Sequence, residues 1–206
     1  MSDEKSPPTV TADDWHRRYE ERNTPWDSGL VDRELRAVVE WGRVAPCTAI
    51  ELGCGTGTNS AYLAGRGFDL TAVDFAANAV AAAEAKARAA GVSAKFVCGD
   101  VTKLDGVTGP FDFVFDRGCY HSIRRVGGLG GFIKTVERLT RSGSTILILA
   151  GNPDANEPFG PPKVTAVELC GDFERLFRIE SLKAMRFEDT GNVDGPLGWS
   201  LLAVRR

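Results

Sequence analysis

The 206-residue chain is poor in the residues that build metal and disulfide sites. It has two His and five Cys (Cys47, Cys54, Cys98, Cys119 and Cys170), and no two Cys are spaced C-x-x-C. That argues against zinc or any other metal, and makes reduced thiols in the cytoplasm the expectation. Basic excess is missing too: 25 Lys and Arg face 28 Asp and Glu, for a net charge of −3. A broad cationic face for nucleic acid or anionic membrane is therefore not expected. No apolar run approaches the ~20 residues of a membrane span. The opening residues, MSDEKSPPTV, carry no apolar signal core, so no secretion signal is expected. Residues 1–10 read as a disordered tail. There is no internal repeat and no break in composition.

What the chain has in excess is glycine, 23 residues, with only 10 Pro and a hydrophobic fraction of 43%. A chain this long buries roughly 70% of its unfolded surface and needs no staple. Thr11 with Asp14 reads as a capping box opening a helix of about 12–22 that sets Trp15 and Tyr19 on one face. A turn-rich loop follows, Asn23-Thr-Pro-Trp-Asp-Ser-Gly29, then a helix of about 30–41. Beyond it, strands of about 48–52, 70–73, 95–98, 111–115 and 145–150 alternate with helices of about 58–66, 76–90, 132–139 and 163–174. Strands of about 177–187 and 198–204 close the chain, separated by a gap too short for a helix, so this pair should be antiparallel. The fold class expected is α/β: a Rossmann-like open sheet of about seven strands, mostly parallel, with a C-terminal antiparallel hairpin and helices on both faces. Ligands of such sheets bind beyond the carboxyl ends of the strands.

Those ends carry the informative residues. The first strand runs through Glu51 into Gly53-x-Gly55-x-Gly57 and then a helix. Glycines there allow a tight turn and close approach of a ligand to the backbone. The spacing is not the G-x-G-x-x-G of dinucleotide enzymes, and no Lys-Ser/Thr follows as a P-loop requires. Glu51 is unsuited to a pyrophosphate and suited to a cationic amino group, or to holding backbone N–H groups. The second strand ends at Asp74-Phe75, 17 residues after Gly57, where a carboxylate can accept from both ribose hydroxyls or cap the next helix. The third ends near Asp100-Val101, placed to accept from an adenine amine or to form an Asx turn. The fourth ends in Asp116-Arg117-Gly118.

This arrangement resembles the class I S-adenosylmethionine-dependent methyltransferases over about residues 45–206. Trp15-x-x-x-Tyr19, Thr24-Pro-Trp-Asp-x-Gly29 and Asp116-Arg-Gly118 resemble the thiopurine, thiol (halide) and tellurite-resistance-type branch. The resemblance implies S-adenosylmethionine as cofactor, leaving as S-adenosylhomocysteine. It implies that Glu51, Gly53, Gly55, Gly57, Asp74, Phe75, Asp100, Val101 and Asp116 surround it. Residues 11–44 would form a helical cap, with Trp15, Tyr19 and Trp26 lining the cofactor site; core packing of two helices is the plainer use of those rings.

Around the acceptor, Arg117 suits a developing anion or a substrate carboxylate, or else an ion pair with Asp116 or a nearby acid. Tyr120 lies where an acceptor enters, and His121 reads as a proton acceptor or as a surface residue at a helix start. Cys119 is a reactive thiol or a small buried hydrophobe. Arg124, Arg125, Lys134, Arg138 and Arg141 read as a solvated basic side that leaves room for a small anion. Gly127, Gly128, Gly130 and Gly131 read as a mobile loop on that side. The activity expected is methyl transfer to a small molecule, most readily a thiol or other soft nucleophile. Oxygen or nitrogen acceptors on a heterocycle, and a non-catalytic cofactor-binding module, are the alternatives. The expected partner is a small acceptor, without nucleic acid or membrane, on a monomer or weak homodimer.

Overall fold

The computed structural model describes residues 11–154, 160–188 and 194–206. The expected disordered tail, and parts of the loops around Asn152–Pro162 and Gly191–Pro196, lie outside these.

The strands are β1 (Thr48–Leu52), β2 (Asp69–Asp74), β3 (Lys95–Cys98), β4 (Phe113–Arg117), β5 (Thr145–Gly151), β6 (Phe177–Arg186) and β7 (Leu197–Arg205). They form a single seven-stranded sheet in the order β3-β2-β1-β4-β5-β7-β6. The first five are parallel; β7 pairs antiparallel with both β5 and β6. The chain order reverses between β1 and β4, the switch point of a doubly wound sheet.

Alternation along the strands explains the two faces. Ile50, Leu52, Val114, Ile146 and Ile148 point to one core, shared with Phe132, Val136, Leu169 and Phe173. Ala49, Phe113, Phe115, Leu147 and Leu149 point to the other, shared with Leu35, Val38, Leu63 and Ala83. Strand β5 is buried on both sides along nearly its whole length, as a central strand must be.

The helices are α1 (Ala12–Glu20), α2 (Arg33–Glu40), α3 (Thr58–Gly65), α4 (Ala77–Ala89), α5 (Cys119–Arg125), α6 (Leu129–Leu139) and α7 (Ala166–Glu174). The Thr11–Asp14 capping box that opens α1 is formed. In α4, Ala79, Ala83 and Ala87 recur every fourth residue on the buried side. Their small size lets α3 approach: a Cβ built on Gly57 would stand 2.6 Å from Cβ of Ala83. Asn78 of α4 donates to the carbonyl of His16 at 2.8 Å, which docks α1 on the sheet domain.

The second glycine cluster differs from the loop expected. Gly127 and Gly128 form a tight junction between α5 and α6, and Gly130 and Gly131 belong to the first turn of α6. A Cβ on Gly131 would meet the carbonyl of Thr102 at 2.6 Å, and one on Gly128 would meet Ile123 at 2.8 Å. These glycines permit close packing against the segment after β3. Because α5 is only seven residues long, periodicity had no room to reveal it.

Candidate functional site

The site lies at the carboxyl ends of β1, β2, β3 and β4. Leaving β1, the chain passes through Gly53, Gly55 and Gly57, all with positive φ (73°, 54° and 79°). Other side chains carry large penalties in this region. The three glycines do different work. A Cβ on Gly53 would fall 2.5 Å from Cβ of Cys119, at the start of α5. Gly57 admits α4, as above. A Cβ on Gly55 would lie 3.1 Å from the Tyr19 hydroxyl, so here the loop faces the N-terminal segment.

Asp74 holds this loop. Its Oδ2 accepts from Gly55 N–H at 2.8 Å and its Oδ1 from Ala76 N–H at 2.9 Å. One carboxylate thus ties the glycine turn to the entry of α4, and Phe75 beside it is partly exposed. Glu51 is buried beneath the turn, where its Oε2 accepts from the Ser60 hydroxyl at 2.5 Å. Burial pushes the Glu51 carboxyl up to about 8, with the charge of Asp74 adding to the rise. Asp74 is raised by burial as well. Asp100 accepts from Thr102 N–H at 2.8 Å and from its hydroxyl at 2.7 Å, forming an Asx turn; Val101 is buried in the core.

The N-terminal segment covers this end of the sheet. Trp15 and Tyr19 meet Trp26 edge-on, at centroid distances of 5.6 and 6.3 Å. The Arg18 guanidinium lies over both indole rings. Asp27 accepts from the Thr56 hydroxyl at 2.8 Å, pinning the Trp26 loop to the glycine turn. Tyr19 is held neutral, raised by burial and by the nearby Asp74 charge.

Four expectations change in the folded chain. Arg117 is not presented to a substrate. Its Nε donates to Asp32 at 2.9 Å, and its terminal nitrogens donate to the carbonyls of Trp26 and Glu188, each at 3.1 Å. It also lies over the Phe187 ring. It is a strap joining the N-terminal segment and the C-terminal hairpin to the end of β4. Tyr120 is fully buried against Phe132 and Phe173 and donates to the Asp172 carboxylate. It belongs to the core because α5 turns that face inward. Asp116 is also fully buried and accepts from Tyr120 N–H at 2.9 Å, so it caps α5 from below and shows no surface to a ligand.

His121 is buried rather than exposed. Its Nδ1 accepts from Gly151 N–H at 3.0 Å. Burial, with the Arg117 charge, lowers its pKa to about 3. It is therefore a neutral imidazole whose proton sits on Nε2.

Two contributors do not stand out in the sequence, Ser60 and Asp32. Ser60 is the partner of Glu51, while Cys119, a small packed side chain as one of its two readings has it, closes on Gly53. Asp32 caps α2 by accepting from Glu34 N–H at 2.9 Å and also receives Arg117. Its position just before Arg33-Glu34-Leu35 is an N-cap signal; nothing in the sequence announces the ion pair 85 residues away.

The crevice is rich in buried carboxylates. Glu51 and Asp74 have raised pKa values, chiefly from burial, as does Asp116 in the core below them, and Arg117 beside them is paired with Asp32. Such a site favours a cationic ligand over a pyrophosphate.

Residues 49–143 match the family of methyltransferase domains. Over these residues and in its sheet the chain is similar to the class I S-adenosylmethionine-dependent methyltransferases. A demethylmenaquinone methyltransferase of Beutenbergia cavernae is 32% identical to this chain over 149 residues, 71% of this chain and 59% of that protein. The chain spans between about a third and three fifths of the length of the curated relatives it matches. A solved structure described by the conversion of a disulfide bond into a thioacetal group during echinomycin biosynthesis aligns with a TM-score of 0.76 and 26% identity. It covers 88% of this chain and 84% of that one. TehB from Haemophilus influenzae shares the fold at a TM-score of 0.66 and 20% identity, over 84% of this chain and 61% of that one. Among the described residues no helix is long and apolar enough to cross a membrane.

Proposed function

We propose that this methyltransferase transfers the methyl group of S-adenosylmethionine to a thiol or other soft nucleophile of a small molecule. The observation that carries the choice of acceptor is His121. The one imidazole near the acceptor side spends Nδ1 on a backbone amide, and its pKa is about 3. It cannot take a proton near neutral pH. A phenol or hydroxyl would need such a base. A thiol, with a pKa near 8.5, ionises unaided and is then a strong nucleophile. A neighbour whose description speaks of disulfide and thioacetal chemistry supports sulfur.

S-adenosylmethionine supplies an electrophilic methyl group on a sulfonium. The Gly53–Gly57 turn, held by Asp74, would receive its amino-acid end. Glu51 beneath the turn, protonated in the free protein, would ionise as the positive charge arrives above it. Phe75, Asp100 and Val101 would flank the nucleoside. Trp15, Tyr19 and Trp26 form the cap, with residues 11–44 as a lid on the domain of residues 45–206. The chain's own contribution is alignment and exclusion of water, and positioning of this kind supplies roughly 7–11 kcal/mol.

The test is a panel of thiols, phenols and heterocyclic amines with isotopically labelled donor. Turnover confined to thiols is expected. Turnover of phenols without thiols would reject the choice of acceptor, and no S-adenosylhomocysteine with any acceptor would reject catalysis.

A further inference from the structure

Lys86 of α4 reaches the glycine turn. Its Nζ donates to the Thr56 hydroxyl at 2.9 Å and to the Thr58 hydroxyl at 2.6 Å. Thr58 opens α3, the end at which a helix dipole repels a cation. The helix therefore gives no reason for an ammonium there. The reason lies across Thr56, between Gly55 and Gly57. Its hydroxyl accepts from Lys86 and donates its one proton to Asp27 Oδ2 at 2.8 Å. Lys86 takes the acceptor side of the hydroxyl and so turns the proton towards the carboxylate. Lys86 and Asp27 thus form an ion pair relayed by one hydroxyl, and the relay joins α4, the glycine turn and the Trp26 loop.

The cap needs such a fastening. None of the described side chains of α1 is fully buried, whereas α2 buries Leu35 and Val38. Between the two helices Gly29 is exposed, with a φ of 72° and open space where a side chain would stand. Segments with few buried apolar contacts open at little cost, so polar contacts decide where residues 11–29 rest. Asn78 holds the His16 carbonyl, Arg117 holds the Trp26 carbonyl, and Thr56 holds Asp27. The last contact ends on the glycine turn itself. Trp26 precedes Asp27 and meets Trp15 and Tyr19 edge-on, so fixing Asp27 fixes all three rings. Resting on the methyl-transfer reading above, we propose that Lys86 is a positioning residue: through the Thr56 hydroxyl it latches Asp27, and with it the rings of the cap, over the turn that receives the methyl donor. It acts through Thr56 and Asp27 and not on the reacting atoms.

Two readouts on the whole protein test the latch, and neither depends on turnover. The first is hydrogen exchange of the ligand-free chain. The second is the release of labelled S-adenosylhomocysteine, timed by displacement with an excess of unlabelled ligand. Lys86→Met removes the ammonium, and Thr56→Val keeps the side-chain shape without the hydroxyl. Each is expected to speed exchange in residues 11–29 about tenfold, with α3 and α4 keeping native rates. Each is also expected to speed ligand release about tenfold, with affinity within about twofold, because entry and exit both pass through the open cap. The double variant should be no worse than either single one, since both break one relay. Thr56→Ser restores the hydroxyl and should recover most of the loss. Native cap exchange in Lys86→Met, a release rate that stays native while exchange rises, or additive losses in the double variant would overturn the inference. So would exchange that rises equally in α3 and α4, the mark of a merely structural lysine. The two readings fail apart. No binding of S-adenosylhomocysteine to the native chain would overturn the donor reading and the latch with it, whereas binding with native release in Lys86→Met overturns the latch alone.

Discussion

Arg117→Met is the most informative single change. In the native chain the guanidinium meets Asp32, the carbonyls of Trp26 and Glu188, and the face of Phe187. The two charged side chains are 12% and 4% exposed, so solvent does little to screen them. Removing one partner leaves the Asp32 carboxylate buried and uncompensated, which costs about 3–5 kcal/mol. The two orphaned carbonyls lie within that range, since all the losses concern one desolvated spot. For a domain holding about 5–15 kcal/mol in all, the loss is large. Urea denaturation of the ligand-free protein is the assay. A second variant, Arg117→Met with Asp32→Asn, keeps a capping side chain on α2 and removes the stranded charge. It should recover about 1.5–3 kcal/mol, the coupling expected of residues in contact. Arg117→Lys should fall between, because an ammonium cannot meet three acceptors in the plane that a guanidinium spans. A single-variant cost below about 1 kcal/mol, or additivity within about 0.5 kcal/mol, would refute the strap. So would a variant of native stability whose only defect is a raised KM for the acceptor, because that is the signature of a substrate-binding arginine.

Other expectations follow from the same contacts. Gly57→Ala places a methyl 2.6 Å from Ala83 at a φ of 79°, and should cost about 2–4 kcal/mol by denaturation, overpacking added to left-handed strain. Asp74→Ala frees the Gly55 amide and should weaken S-adenosylmethionine by about 1.5–3 kcal/mol in calorimetry; unchanged affinity would remove Asp74 from the cofactor site. Two of the buried groups shape the pH dependence in opposite senses. The His121 pKa is lowered in the fold to about 3, so its contribution is present above about 6.5 and is lost as pH falls towards 3, at up to ~1.4 kcal/mol per pH unit. The Glu51 pKa is raised to about 8, so its contribution is present below about 4.5 and is lost as pH rises through 8. Glu51→Gln should remove the loss of urea midpoint that accumulates between about pH 4.5 and 8, leaving the limb below about pH 4.5 unmoved. A loss unchanged over that range would contradict a buried, protonated Glu51.

What was legible in the sequence was whatever depends on short-range pattern. Alternation of two faces fixed the strands, glycine spacing fixed the turn after β1, and Thr11 with Asp14 fixed the start of α1. The short gap before the last strand fixed the hairpin as antiparallel. Each of these is set by residues within one turn or one strand of each other, where backbone geometry leaves few choices. The residues of α5 were the failure. Cys119, Tyr120, His121, Arg124 and Arg125 stand in one seven-residue helix, and local pattern alone places Tyr120 and His121 at the acceptor and the arginines in solvent. Which way each faces depends on packing by α6, α7 and β5, elements brought there from elsewhere in the chain. Asp32 and Arg117 meet across 85 residues, a pairing that no local pattern encodes.

The sequence by itself therefore determined the class of sheet, the position of its glycine turn and the end of the strands where a ligand belongs. Only the tertiary structure decided which polar side chains face that ligand and which hold the protein together. The reason is physical. Burial and partners set whether a carboxylate, imidazole or guanidinium is free to act, and both are properties of contacts between distant segments.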